Sequence, residues 1–242
     1  MGGATLELLA APPTSALVAV AHPDDVDFGA GGTAAWIVAA GGRVGYVIAT
    51  DGDAGGFDES VARDEIPGLR RREQREAAAR TGVVDVRFLG FADGRLEPSL
   101  ELRRELTAEI RRQRPEVVIT QSPERNLDRV PSTHPDHRAV GQAALDAVYP
   151  DARNPFAFPE LAALAAHVVH EVWIMGAPAP THAIDVTEVV ETKLAALAAH
   201  QSQLPDWPAT SAMVREWLVA GAAAAGLPPG RLAETFRVVR IP

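Results

Sequence analysis

Two of the seven histidines in this 242-residue chain open the tripeptide His-Pro-Asp, in HPDD at 22–25 and again in HPDHR at 134–138. The first copy ends an apolar run and opens a glycine-rich stretch, ALVAVAHPDDVDFGAGGT, and the second follows the loop SPERNLDRVPST. The chain has no cysteine, which excludes disulfides and thiolate metal sites and leaves His, Asp and Glu as ligands. His22, Asp24 or Asp25, His134 and His137 are therefore the candidate set. Two imidazoles and one carboxylate, with a position left for water, make the ligand set of a hydrolytic Zn2+ site. Such an ion lowers the pKa of bound water to roughly 7 and polarises a carbonyl. A second carboxylate that is not a ligand can take the water's proton, which is worth ~10² to 10⁴ in rate. One acid for the metal and one for the proton accounts for the paired aspartates. Either copy taken alone also fits a turn whose Asp caps a helix.

These residues must be carried to one place by the elements around them. Short apolar, β-branched runs at 15–21, 43–50, 84–90 and 116–121 read as buried parallel strands. The segments GGTAAWIVAAGG, PGLRRREQREAAARTG and SLELRRELTAEIRRQRP between them read as helices, each stopped by Gly or Pro. The β-α-β-α-β-α-β order predicts an α/β fold, a Rossmann-like, mostly parallel sheet flanked by helices, with right-handed crossovers. Further elements are expected in the carboxyl-terminal part: a helix from about 137 to 148, strands near HEVWIMG and HAIDV, a helix over 187–200 and a last strand, ETFRVVRI. The alanine-rich 219–230 is loosely specified, and the Pro-rich 149–160 reads as a loop over the sheet's edge. No repeat or linker divides the chain, so one domain over 1–242 is expected. Ligands of such sheets collect at the carboxyl ends of the strands, where His22 to Asp25 fall.

A net charge of −9, with basic residues scattered among acids, argues against a nucleic-acid partner. No apolar run reaches the ~18 residues of a membrane span, and the amino terminus lacks a basic leader, so a cytoplasmic protein is expected. A dinucleotide-binding reading of GAGG fails on spacing, because Gly29, Gly31 and Gly32 do not fit G-x-G-x-x-G. Three acids before a helix would also repel a pyrophosphate, so these glycines are read as permitting a tight turn and close approach to substrate. A calcium loop in DGDAGGFDES fails because Ala62 stands where a bidentate Glu is needed.

The segments AHPDDVDFGAGGT, TDGDAGG, LRRREQREAAARTGV, FLGFADGRLE, RPEVVITQSP, HPDHRAVG and THAIDVTEVVETKLAALAAHQSQ together resemble the PIG-L/LmbE-like family of zinc-dependent N-acetylglucosamine deacetylases, from about Ser15 onward. The resemblance implies an LmbE-like fold and hydrolysis of an N-acetyl group from an amino sugar or its conjugate. It matches His22, Asp25 and His137 to the metal ligands and Asp24 to the general base. It matches His134 to the catalytic histidine that, as imidazolium, stabilises the oxyanion and protonates the leaving amine, with Asp136 holding it charged. Asp27 stands where the family commonly has Glu, which puts that acid's role in question.

Three further residues are candidates for substrate contact. Arg70 aligns with a family arginine, though a solvated helix face is an alternative. Asp93 in FADG suits a sugar hydroxyl or a turn. His182 begins a strand and suits either the site or the core. His167, His170 and His200 carry no supporting pattern. The expected partner is a small-molecule amino sugar, and the sequence leaves open whether copies associate into a homo-oligomer.

Overall fold

The computed structural model describes residues 5–56, 58, 60–127, 129–130 and 133–242. Strand β2 (Ser15–Val20) is buried at every position. Ala16, Val18 and Val20 pack in one apolar layer with Ile37, Ala78 and Leu194, while Leu17 and Ala19 pack in another with Leu102, Ile110 and Val140. Cover on both faces is why this strand reads as a continuous apolar run and not as an alternating one. Strands β3 (Arg43–Thr50) and β5 (Val117–Gln121) pair parallel on either side of it. Beyond β3 lies β4 (Asp85–Phe91) and beyond β5 lies β6 (Glu171–Met175), both parallel.

The sheet is extended by β8 (Ala233–Arg240), which runs antiparallel to both β6 and β7 (His182–Asp185), and by β1 (Glu7–Leu8), parallel to β7. The spatial order is β1-β7-β8-β6-β5-β2-β3-β4. The mostly parallel α/β sheet is thus as expected, with the carboxyl-terminal strands joining the same sheet. From β2 the chain moves to β3 on one side, whereas from β5 it moves to β6 on the other. The crevice between the carboxyl ends of β2 and β5 is therefore the switch point at which such sheets bind ligands.

Helices α1 (Asp25–Gly29) and α2 (Gly31–Ala39) follow β2, α3 (Ile66–Thr81) precedes β4, and α4 (Leu100–Gln113) precedes β5. After β5 comes α5 (Pro135–Asp146), and α6 (Val190–Leu197) and α7 (Trp207–Ala224) precede β8. Local chemistry sets their ends. Ser99 accepts the Leu102 N–H at the start of α4, and Gly82 closes α3 at φ 81°, where a side chain would be strained. Helix α7 has 18 residues and was not foreseen; its start is marked by Asp206, which accepts the Ala209 N–H, and by Pro208 in its first turn. The two-residue β1 was likewise missed. The 187–200 segment begins as a 3-10 turn at Thr187–Val189 before α6. The Pro-rich 149–160 segment is in part helical, with one wide turn at Ala147–Ala152 and a 3-10 turn at Pro159–Leu161. It is bound to α4, where Arg103 pairs with Asp151 and Arg111 donates to the carbonyls of Asp151 and Asn154. No helix among the described residues is long and apolar enough to cross a membrane.

Candidate active site

Where β2 ends, the Ala21 N–H donates to Gln121 Oε1 at 2.9 Å, which ties the ends of β2 and β5 together. The chain then turns sharply, with Asp24 at φ 93°. That left-handed conformation is uncommon for a residue other than glycine and marks a strained, over-determined position. The two neighbouring carboxylates take different partners across this turn. Asp25 accepts the His22 N–H at 2.7 Å. Its oxygens lie 3.2 Å from His22 Nδ1 and 3.1 Å from His137 Nε2, so it bridges the two imidazoles. Asp24 Oδ2 instead lies 3.1 Å from Arg70 Nη2.

The second motif arrives on the first turn of α5. His134 caps this helix, and its Nδ1 accepts the Asp136 N–H at 3.2 Å. That bond places the imidazole lone pair on Nδ1 and its proton on Nε2. The rings of His22, His134 and His137 lie 5.0, 5.2 and 5.6 Å apart pairwise, and the three offer nitrogens within 4.8 Å of one another. Asp93 comes from the loop after β4 and reaches His22 Nε2 at 3.0 Å, where Asp136 Oδ2 also lies at 3.3 Å. His22 thus has carboxylates at both nitrogens. A ligand imidazole characteristically gives one ring nitrogen to an orienting carboxylate and keeps the other for the metal. Here Nε2 is taken by Asp93 and Asp136, which leaves Nδ1 on the Asp25 side.

This geometry revises two expectations. Asp136 is wholly buried and accepts the Gly94 N–H at 2.8 Å and the Leu96 N–H at 3.2 Å, facing His22. Its carboxylate stays 4.0 Å from His134 Nδ1, outside hydrogen-bond reach, because the helix cap already occupies that nitrogen. Burial and the neighbouring His22 hold the His134 pKa below its ordinary value, against the pull of Asp136.

Electrostatically the cluster calls for a cation. Burial disfavours a charged His22, yet Asp25, Asp136 and Asp93 outweigh it and push its pKa up to about 12. Burial likewise opposes ionisation of Asp25, Asp93 and Asp136, and the imidazoles and N–H groups around them overcome it and keep all three below the usual carboxylate range. Asp24 behaves in the opposite way. Burial and Asp25 raise it to about 6, against the pull of Arg70. Imidazoles and carboxylates converging on one point suit a divalent ion of borderline softness.

Helix α3 contributes a face that was read only in part. Arg70, Glu73, Gln74, Ala77, Ala78 and Thr81 are its buried residues, a helical stripe that is polar at one end. Arg70 does not lie on a solvated face: it is 4% exposed and donates to the Pro23 and Gly52 carbonyls at 2.6 and 3.1 Å as well as to Asp24. A Cβ at Gly52 or Gly55 would fall on its guanidinium, so only glycine lets this loop cover it. Gln74 binds the Asp24 N–H at 2.8 Å, and Asp27, buried among Gln74 and His200, has a structural role in this network. Gln74 and His200 were missed. Gln74 was legible as a polar residue in register with the alanines of a buried helix face, whereas His200 had no local mark.

His182 is not brought to the site. It lies on β7, separated from β2 by β8, β6 and β5, and its ring contacts Thr181 and Glu7. The glycines after the first motif do not face a substrate either. Side chains at Gly29 and Gly32 would meet Met175 and Val186 in the core. At the start of α2, the Gly32 and Thr33 N–H groups donate to the buried Glu234 carboxylate at 2.9 and 2.7 Å, which fills the place a phosphate would need. Asp51 and Asp53 pair with Arg71 and Arg63.

A Rossmann-like sheet with a His/Asp cluster at its carboxyl edge, able to hold a metal ion, is the layout of an α/β hydrolytic enzyme. Residues 17–148, which span both motifs, match the family model "PIG-L: GlcNAc-PI de-N-acetylase", and the chain belongs to this family. It is 33% identical over 186 residues to a diacetylchitobiose deacetylase of Thermococcus kodakarensis, covering 76% of this chain and 68% of that protein. It is 33% identical over 192 residues to a probable N-acetyl-alpha-D-glucosaminyl L-malate deacetylase 2 of Bacillus cereus, covering 77% and 82%. The solved N,N'-diacetylchitobiose deacetylase from Pyrococcus horikoshii, complexed with its inhibitor MPG, superposes with a TM-score of 0.85 at 29% identity, over 94% of this chain and 84% of that one.

Proposed function

We propose that this chain hydrolyses the acetamide of an N-acetylglucosamine-type amino sugar or conjugate, releasing acetate and the free amine, with zinc held by His22, Asp25 and His137. The observation that carries this reading is the division of labour between adjacent acids: Asp25 bridges two imidazoles, while Asp24 stands apart on Arg70. The names of the relatives fit it, since each denotes deacetylation of an N-acetylated glucosamine derivative. When bound, zinc supplies Lewis-acid polarisation of the acyl oxygen and acidification of water.

The chain's own groups do the rest. Asp24 accepts the proton of the water that attacks the acyl carbon, a role suited to a carboxylate raised to about 6. His134, with its proton on Nε2 and its side chain 41% exposed, donates a hydrogen bond from Nε2 to the developing acyl oxyanion, and Asp24 delivers the proton it took from water to the nitrogen as the C–N bond breaks. Asp93 and Asp136 fix His22 from behind. Arg70 serves through Asp24, and any contact it makes with substrate is secondary to that. We read the chain as one domain acting in the cytoplasm on a small molecule.

The test is paired substitution. Asp24→Asn should retain zinc and lose turnover by ~10² or more, whereas Asp25→Asn should lose most of the metal. Elemental analysis and acetate release from a panel of N-acetylglucosamine conjugates read the two outcomes. Undiminished hydrolysis in both variants would sink the reading.

A further inference from the structure

Arg70 and Gln74 lie one helical turn apart on α3 and both reach the turn that holds Asp24. Arg70 binds its carboxylate; Gln74 binds its backbone. Gln74 is fully buried, and its Oε1 accepts the Asp24 N–H at 2.8 Å while its Nε2 donates to Asp27 Oδ2 at 2.9 Å. The same Asp27 oxygen lies 2.8 Å from His200 Nε2, inside a fully buried pair. Only the NH2 end of an amide can face that carboxylate, so its oxygen must face Asp24. The Asp24 N–H precedes the first turn of α1 and has no partner within the helix. Gln74 supplies one.

We infer that Gln74, oriented by Asp27 and His200, is a positioning residue: it anchors Asp24 in its left-handed turn and thereby sets the turnover of the reaction proposed above, on which this inference rests. The arrangement is specific to the pair. Beside Asp27, a Glu at position 74 would set one carboxylate against another, and an Ala would leave the Asp24 N–H without an acceptor. With Asn at 27, a Glu at 74 becomes acceptable, because the Asn amide donates to it.

The experiment uses the full chain as wild type, Gln74→Ala, Gln74→Glu, Asp27→Asn, the Gln74→Glu/Asp27→Asn double variant and Asp24→Asn. In metal-free protein, exchange of the Asp24 amide hydrogen, read by NMR against the Ile48 amide in the core, should accelerate by about tenfold or more in both Gln74 single variants while Ile48 stays near wild type. In zinc-loaded protein with N,N'-diacetylchitobiose as probe, kcat should fall by at least about tenfold with KM within about twofold. The double variant should recover most of the loss seen in Gln74→Glu, the non-additivity expected of directly bonded side chains.

Parallel acceleration of Asp24 and Ile48 would overturn the inference, since it would show a general loss of stability. So would a Gln74→Ala variant with wild-type kcat, or a double variant no better than Gln74→Glu. If Asp24→Asn is inactive while Gln74→Ala is fully active, the positioning role fails and the deacetylase reading stands. If Asp24→Asn turns over like wild type, that reading itself fails. Should the wild type release no acetate from this probe, the exchange measurement alone decides whether Gln74 anchors the turn.

Discussion

Arg70 Nη2 lies 3.1 Å from Asp24 Oδ2 and 2.6 Å from the Pro23 carbonyl, so one guanidinium spans the backbone and the side chain of the turn that carries the paired acids. Arg70→Ala should therefore act on kcat first, lowering it by about 10²-fold through misplacement of Asp24. Arg70→Lys should restore only part of this, because one ammonium cannot reproduce the fork that reaches Pro23, Gly52 and Asp24. Steady-state kinetics on a small and an extended N-acetylglucosamine conjugate check the prediction. A rise in KM confined to the extended substrate would return Arg70 to direct substrate contact.

Asp136 supports His22 from the nitrogen opposite Asp25. Asp136→Asn should weaken zinc binding by about 10–100-fold, as losses of orienting partners do. Competition with a chromophoric chelator measures it. An unchanged affinity would mean that Asp93 alone orients the ring.

His200 gives the fold a pH-dependent contribution. Burial disfavours its charged form, but the bond to Asp27 outweighs this and raises its pKa above the ordinary 6.5. A raised folded-state value means that the stabilisation is fully present below about pH 6.5 and is lost as pH rises through the folded pKa. His200→Leu should cost about 3–5 kcal/mol near pH 6, because Asp27 is left buried without its cation, and it should flatten the pH dependence above that. Urea unfolding at a series of pH values tests both; a parallel displacement of the whole curve would contradict the sign.

Glu234 joins three elements at once, accepting from the Lys193 ammonium at 2.7 Å and from Gly32 and Thr33 at the start of α2. Lys193 is fully buried, so Glu234→Ala should cost about 3–5 kcal/mol, and Glu234→Gln less, since the amide keeps an acceptor for the N–H groups. Midpoints of urea denaturation decide between them. Equal small losses would show that the Asp27 and Phe28 carbonyls, which also accept from Lys193, suffice for its charge.

The amino-acid sequence by itself determined the parallel sheet and the chemistry at its edge. Residues 16–20 are apolar without alternation because both faces of β2 are covered, and the two His-Pro-Asp segments follow β2 and the β5 loop because such sheets present their sites there. Both marks are local, carried by residue type and spacing. Tertiary structure decided what depends on contacts distant in sequence. Asp136 faces His22 and not His134, although His134 is two residues away, because Gly94 and Leu96 from another loop claim its carboxylate. His182 shares a residue type with the site but lies on β7, with three strands between it and β2, a matter of strand order that no local pattern encodes. His200, just past the end of α6, and Asp27 on α1 are 173 residues apart and meet only when α6 packs against α1, so neither the network behind Asp24 nor its pH dependence was visible until the chain was folded.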